Sequence, residues 1–186
     1  MSHTRELPGP LARLDRLSEW LGRSLSWLVL AMMLIQFLIV VLRYAFSINS
    51  IAMQESVMYL HATVFMLAAS YTLRHDGHVR VDIFYRGMST RGKAWVDLLG
   101  TLLLLIPVMV FVILTSLGYV GASWAILEGS PDSGGIQGVF LLKTLIPAFA
   151  GLMILQGLVE AGRNTLILTG RIDPDAESPE QREEHL

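Results

Sequence analysis

Residues 27–42 read WLVLAMMLIQFLIVVL, and Gln36 is the only strongly polar side chain among them. With its flanks this block covers about 24–43, close to the roughly 20 residues a helix needs to cross about 30 Å of hydrocarbon. Backbone groups surrounded by lipid must pair within their own segment, so a helix is the form such a block takes. Arg43 and Tyr44 mark its far end.

Three more blocks of this kind follow, at about 51–73, 98–120 and 140–161. Across the whole chain of 186 residues, 53% are hydrophobic and 16% charged. The mean hydropathy is +0.52. An ordinary globular domain carries about a quarter charged residues, so this surface is poor in charge. The fold class expected is all-α: an integral membrane protein with four transmembrane helices and a short amphipathic helix at its N-terminus.

Residues 1–22 form a polar N-terminal segment. Leu11, Leu14, Leu17 and Leu21 recur there at helical spacing, with Arg13, Arg16 and Glu19 between them. This reads either as an amphipathic helix lying on the inner membrane surface or as an extension of the first span. It is not a secretory signal, because Arg5, Arg13 and Arg16 mix with Glu6, Asp15 and Glu19 and no early apolar core appears. Residues 23–163 hold the four spans. Residues 164–186 form an acidic tail, expected to be disordered.

Lys and Arg are abundant before the first span, in the loop 74–97 and just after the fourth span. They are absent from the loop between the third and fourth. The positive-inside rule then puts both termini and the 74–97 loop in the cytoplasm. Within that loop, Val79, Val81, Ile83 and Tyr85 alternate with Arg80, Asp82, Phe84 and Arg86, which reads as a short extended piece or a segment held against lipid. Pro107 and Pro147 lie inside spans and are expected to kink them.

Few residues carry chemistry. The chain has no cysteine, which excludes disulfides, thiol catalysis and cysteine-bound metal. A net charge of -2 and no basic stripe argue against nucleic acid as a partner. There is no phosphate loop, nucleophile elbow or HExxH motif, so the chain reads as a non-enzyme without cofactors. Glu55 stands early in the second span, where a charge is costly unless it is partnered or wet. The short loop before it brings Arg43 within reach, so an Arg43–Glu55 pair is expected; the plainer alternative is a glutamate at headgroup level beside a helix N-terminus. His61 sits deeper. It is read as a neutral residue hydrogen-bonded to a neighbouring helix rather than a haem ligand, because no facing span supplies a second histidine. His75, Asp76 and His78 lack the second cluster that a metal site needs.

Three stretches resemble a known family: RYAFSINSIAMQESVMYLHATVFMLAASYTLRHDGHVRVDIFYR at 43–86, SWAILEGSPDSGGIQG at 123–138 and FLLKTLIPAFAGLMILQGLVEAGR at 140–163. Their order on a four-span plan is similar to the small membrane subunit (DctQ type) of tripartite ATP-independent periplasmic, or TRAP, transporters. Glu55, Arg74, Gly77, His78, Val79 and Asp82 fall on that family's pattern, as do Lys143 and Pro147. Gln54-Glu55 replaces the two adjacent glutamates of many relatives. The resemblance implies a multi-pass protein of the bacterial inner membrane. Its partners would be a large permease subunit (DctM type), a periplasmic solute-binding protein and membrane lipid. Together they would import organic acids with sodium, and Arg43, Glu55, His61, Arg74, His78, Asp82 and Lys143 would serve as structural or subunit contacts. The alternatives are a membrane anchor for a redox complex and an autonomous small transporter. The second is poorly equipped, since the chain lacks inverted repeats and interrupted helices around a midplane site.

Overall fold

The structure, a computed structural model, describes residues 9–78, 82–85 and 87–172. Among them every regular element is helical. Helix α1 runs Gly9–Phe46, α2 Ile51–Leu67, α3 Ala69–Arg74, α4 Asp82–Tyr85, α5 Thr90–Gly100, α6 Ile106–Ala125 and α7 Val139–Leu168. Four helical paths are long and apolar enough to cross a membrane: Gly9–Phe46, Ile51–Arg74, Thr90–Ala125 and Val139–Leu168.

The leucine-spaced N-terminal stretch is not a separate helix. It continues into the first span as one helix of 38 residues. At 1.5 Å per residue that is about 57 Å, well beyond a hydrocarbon core of about 30 Å. Its polar first half therefore projects from the membrane. The face turned inward runs along one side of the leucines: Leu11, Leu14 and Leu21 are half-buried, and Leu11 lies against Gly162 of α7. Asp15, Ser18 and Leu25 are buried while Leu17 is 40% exposed.

Ser50 starts α2 by accepting a hydrogen bond from the Met53 amide at 3.4 Å. The neighbouring Asn49 accepts from the Gln54 side chain at 2.6 Å. The helix eases at Ala68 and continues as α3. Here the small residues Ala68, Ala69 and Ser70 allow close packing, and Ser70 is fully buried. Across from it, a Cβ on Gly22 would land in the Tyr71 ring, so only glycine lets α1 approach α3 this closely.

The alternating stretch after α3 is not extended where it is described. Residues 82–85 form the short helix α4, and the chain is helical again from Thr90. Ser89 caps α5 through a bond from the Gly92 amide at 3.3 Å. Between α5 and α6 the backbone widens into a π turn over Thr101–Leu105, closed by the Ile106 amide on the Thr101 carbonyl. Pro107 follows directly. It has no amide hydrogen and its ring crowds the preceding turn, so the wider turn is where the helix absorbs it.

Helix α7 is the centre of the fold and packs against α1, α2, α3, α5 and α6. It carries more of the buried residues than any other helix, including Ala150, Met153, Gln156 and Val159. It runs to Leu168, so the first residues of the expected tail are helical. Residues 173–186 and 1–8 lie outside the described residues. In the most apolar window of each span, only 11%, 6%, 0% and 17% of residues are buried. Soluble monomers rarely show apolar patches beyond a few hundred Å², so lipid or protein must cover these faces.

Candidate functional site: polar anchors at both ends of the helices

Two polar clusters tie the helices together, one at each end. The first gathers the start of α1, the end of α3 and the last third of α7. Arg74 grips Asp15 with two hydrogen bonds, Nε to Oδ1 at 2.8 Å and Nη2 to Oδ2 at 2.9 Å. Its Nη1 donates to Glu19. The Asp15 side chain is 0% exposed and that of Arg74 11%. Glu19 also accepts from Arg23 at 2.7 Å.

Helix α7 closes the cluster. Arg163 approaches Asp15 at 4.0 Å and Glu160 at 3.4 Å. The Ser18 hydroxyl donates to the Gln156 carbonyl oxygen at 2.8 Å, and the Gln156 amide donates to Glu160 at 3.3 Å. A planar guanidinium matches a carboxylate with two parallel bonds, which fixes orientation as well as distance. The arrangement holds α3 against α1 and both against α7. His75 stacks on Tyr71, with ring centroids 4.2 Å apart.

The second cluster joins the start of α2, the loop 126–138 and the start of α7. Glu55 accepts from the Ser130 hydroxyl and from the Ile136 amide, the latter at 2.6 Å. Ser130 also caps the turn by accepting from the Asp132 amide at 3.1 Å, and the Ser130 amide donates to the Ile136 carbonyl at 3.1 Å. Gly134 has φ of 85°, and a Cβ on Gly135 would collide with Ser130 and Glu55. The Gly-Gly pair thus lets the loop fold tightly over the carboxylate. Beside it, Lys143 pairs with Glu128 and lies 4.0 Å from the centre of the Tyr119 ring. The Lys143 ammonium holds the Glu128 carboxyl below the usual carboxylate range. Trp124 donates to Thr144 at 2.9 Å and meets Phe140 edge-on.

These positions correct the expected pair. The Glu55 carboxylate is bound by the loop before α7 rather than by Arg43, which lies exposed in the last turn of α1. No Arg43–Glu55 ion pair exists among the described residues. His61 is exposed on α2 and stacks on Phe65, with centroids 6.3 Å apart, so it does not reach inward to a neighbouring helix. His78 is exposed after α3, and the side chain of Asp82 lies outside the described residues, as does Val79. Arg74 turns away from that patch toward α1. Asp15, Ser18, Gln156, Glu160 and Arg163 join the site without any motif in the sequence that marks them. The available signal was the run Asp15, Ser18, Gly22, Leu25, spaced by three and four along one side of α1.

Among the described residues no group of three or more His, Cys, Asp or Glu could hold a metal ion. Four long apolar helices, fastened by ion pairs and by hydrogen bonds to loops, define a helical membrane protein. The chain matches the model of the family described as tripartite ATP-independent periplasmic transporters, DctQ component, over residues 14–165. It belongs to that family, whose subunits are non-catalytic. No curated protein and no solved structure matches it.

Proposed function

We propose that this chain is the small scaffold subunit of a sodium-driven transporter in a bacterial inner membrane. It works beside a large permease subunit and a periplasmic solute-binding protein to import organic acids, with both termini and residues 74–97 in the cytoplasm. Family membership supports the partner set, and the distribution of Lys and Arg supports the orientation.

The observation that carries the scaffold reading is the outward face of α2. Ile51, Gln54, Met58, His61 and Phe65 are exposed at helical spacing, with Met58 48% and Phe65 71% exposed. His61 lies ten residues into the helix, about 15 Å, which is about half of a 30 Å hydrocarbon core. An ionisable side chain facing lipid at that depth is costly and usually faces protein or water. A flanking subunit with a polar group opposite His61 resolves that cost.

Replacing His61 with leucine separates the two environments. If the α2 face meets lipid, the change is neutral or stabilising. If it meets the large permease, co-purification of the two subunits falls and uptake falls with it. Unchanged co-purification and uptake would refute the α2 interface. Uptake by the single chain reconstituted in vesicles would refute the scaffold role itself.

A further inference from the structure

A cavity of about 780 Å³ opens between α5, the π turn, α6 and α7. That volume falls among ligand sites of about 300–1,000 Å³. Its lining changes character along its length. One end carries Lys93, Asp97, Glu160 and Arg163, and the other Leu104, Val108 and Met109. Lys93 and Val108 are fifteen residues apart on one helical path, about 22 Å. Half of a bilayer about 40–45 Å thick, headgroups included, has the same depth.

The charged end is dipolar. Arg163 is satisfied by Glu160 and Asp15. Lys93 is half-buried, lies 5.5 Å from the centre of the Tyr85 ring, and makes no ion pair among the described residues. Asp97 accepts from the Tyr85 hydroxyl at 2.6 Å. An ammonium donor and carboxylate acceptors therefore stand at one mouth. A headgroup bearing both a phosphate and an ammonium complements them, whereas a purely anionic one meets the carboxylates.

We propose that this cavity binds one zwitterionic phospholipid. Its phosphate lies against Lys93, its ammonium faces Asp97 and Glu160, and one acyl chain runs along Leu104, Val108 and Met109. The π turn, which includes Leu104, widens the helix where this path passes from its charged end to its apolar end. The site needs a bilayer around the chain but does not depend on which partner subunits it serves.

Native mass spectrometry of the full chain, released from vesicles of equal phosphatidylethanolamine and phosphatidylglycerol, tests the site. One retained phosphatidylethanolamine per chain is the expected result. Lys93→Glu should lower that occupancy about fivefold or more, while Lys93→Arg keeps it. Met109→Trp should abolish it by filling the apolar end. If that variant does not fold, Val108→Phe, at a more exposed wall position, replaces it and should lower occupancy too. No retained lipid, equal retention of both headgroups, or unchanged occupancy in the Lys93 and cavity variants would overturn the proposal. So would crosslinking of Val108→Cys to a co-expressed large permease in place of lipid, because a helix would then fill the groove. Uptake by the assembled transporter is a separate readout, so loss of the lipid site leaves the scaffold reading standing.

Discussion

The two anchors use carboxylates in opposite ways. At the Arg74 end, a buried carboxylate on one helix meets a guanidinium on another, and both charges leave water together. At the Glu55 end, a carboxylate in the second turn of α2 meets a hydroxyl and a backbone amide of a loop. The first arrangement fixes helices against each other. The second shapes a loop on a helix end and leaves the helices to other contacts. Loss of a partner therefore has different consequences. Removing Arg74 strands a buried negative charge, while removing Glu55 frees a turn that water can reach.

The largest effect should follow from breaking the Arg74–Asp15 pair. Arg74→Ala leaves Asp15, with its fully buried side chain, without its main partner. Breaking a buried ion pair in this way costs about 3–5 kcal/mol. The yield of folded protein in detergent and its thermal midpoint should both drop sharply. Asp15→Ala should cost less, because Glu19 still engages Arg74. The double variant should lose less than the sum of the two single changes. Additive losses would mean that the two side chains stabilise the bundle independently.

Glu55→Ala should rank second. Two charge-assisted bonds to the loop disappear, at about 1–3 kcal/mol in total. The effect should be local: amide exchange should rise across residues 130–136 while the Arg74 end stays protected. Glu55→Gln should recover part of the protection, since its carbonyl can still accept one bond. Uniformly faster exchange through all four spans would show that Glu55 supports the helices rather than the loop.

Sequence length and hydropathy made the four spans legible, because lipid imposes a minimum run of apolar residues on any helix that crosses it. They did not reveal which face of each helix turns inward. In the half of α1 that projects from the membrane the leucines look like a core face, yet Leu17 is exposed and the buried side chains are Asp15 and Ser18, which bind Arg74 of α3 and Gln156 of α7. Inside lipid, apolar side chains gain little by meeting each other, and small or polar groups direct packing instead. Ser70 and Gln156, inside the second and fourth spans, fit that rule. Glu55 stands out because a charge in a span is rare, but its partner is not the cation nearest in sequence. A short loop brings Arg43 near in sequence, whereas Ser130 and Ile136 reach Glu55 through a distant loop whose fold depends on Gly134 and Gly135. Lys143 is legible only through the family resemblance, and its partner Glu128 lies in that same loop.

The Lys143–Glu128 contact should respond to acid in one direction. Lys143 lowers the Glu128 pKa, so the folded state holds this proton less tightly than the unfolded chain does. The contribution is fully present above the ordinary carboxylate pKa. It is lost as pH falls through the lowered folded value. Between pH 7 and pH 5 the contact should therefore contribute constantly, and the difference between wild type and Lys143→Met in thermal midpoint should shrink only in stronger acid. A difference that changed between pH 7 and pH 5 would point to a group other than Glu128.

The smallest effect belongs to Arg43. It closes α1 with an exposed cation in the last turn, where it meets the negative end of the helix dipole. That interaction is worth about 0.3–1 kcal/mol at an exposed site. Arg43→Ala should thus lower stability slightly and leave the exchange of residues 130–136 unchanged. Because Glu55 is engaged by the loop, the Arg43 and Glu55 changes share no partner and should add within about 0.3–0.5 kcal/mol. Coupling above that range would mean that Arg43 reaches the carboxylate after all, competing with Ser130 for it. The two anchors would then no longer differ in kind, since each would hold its helices through an ion pair.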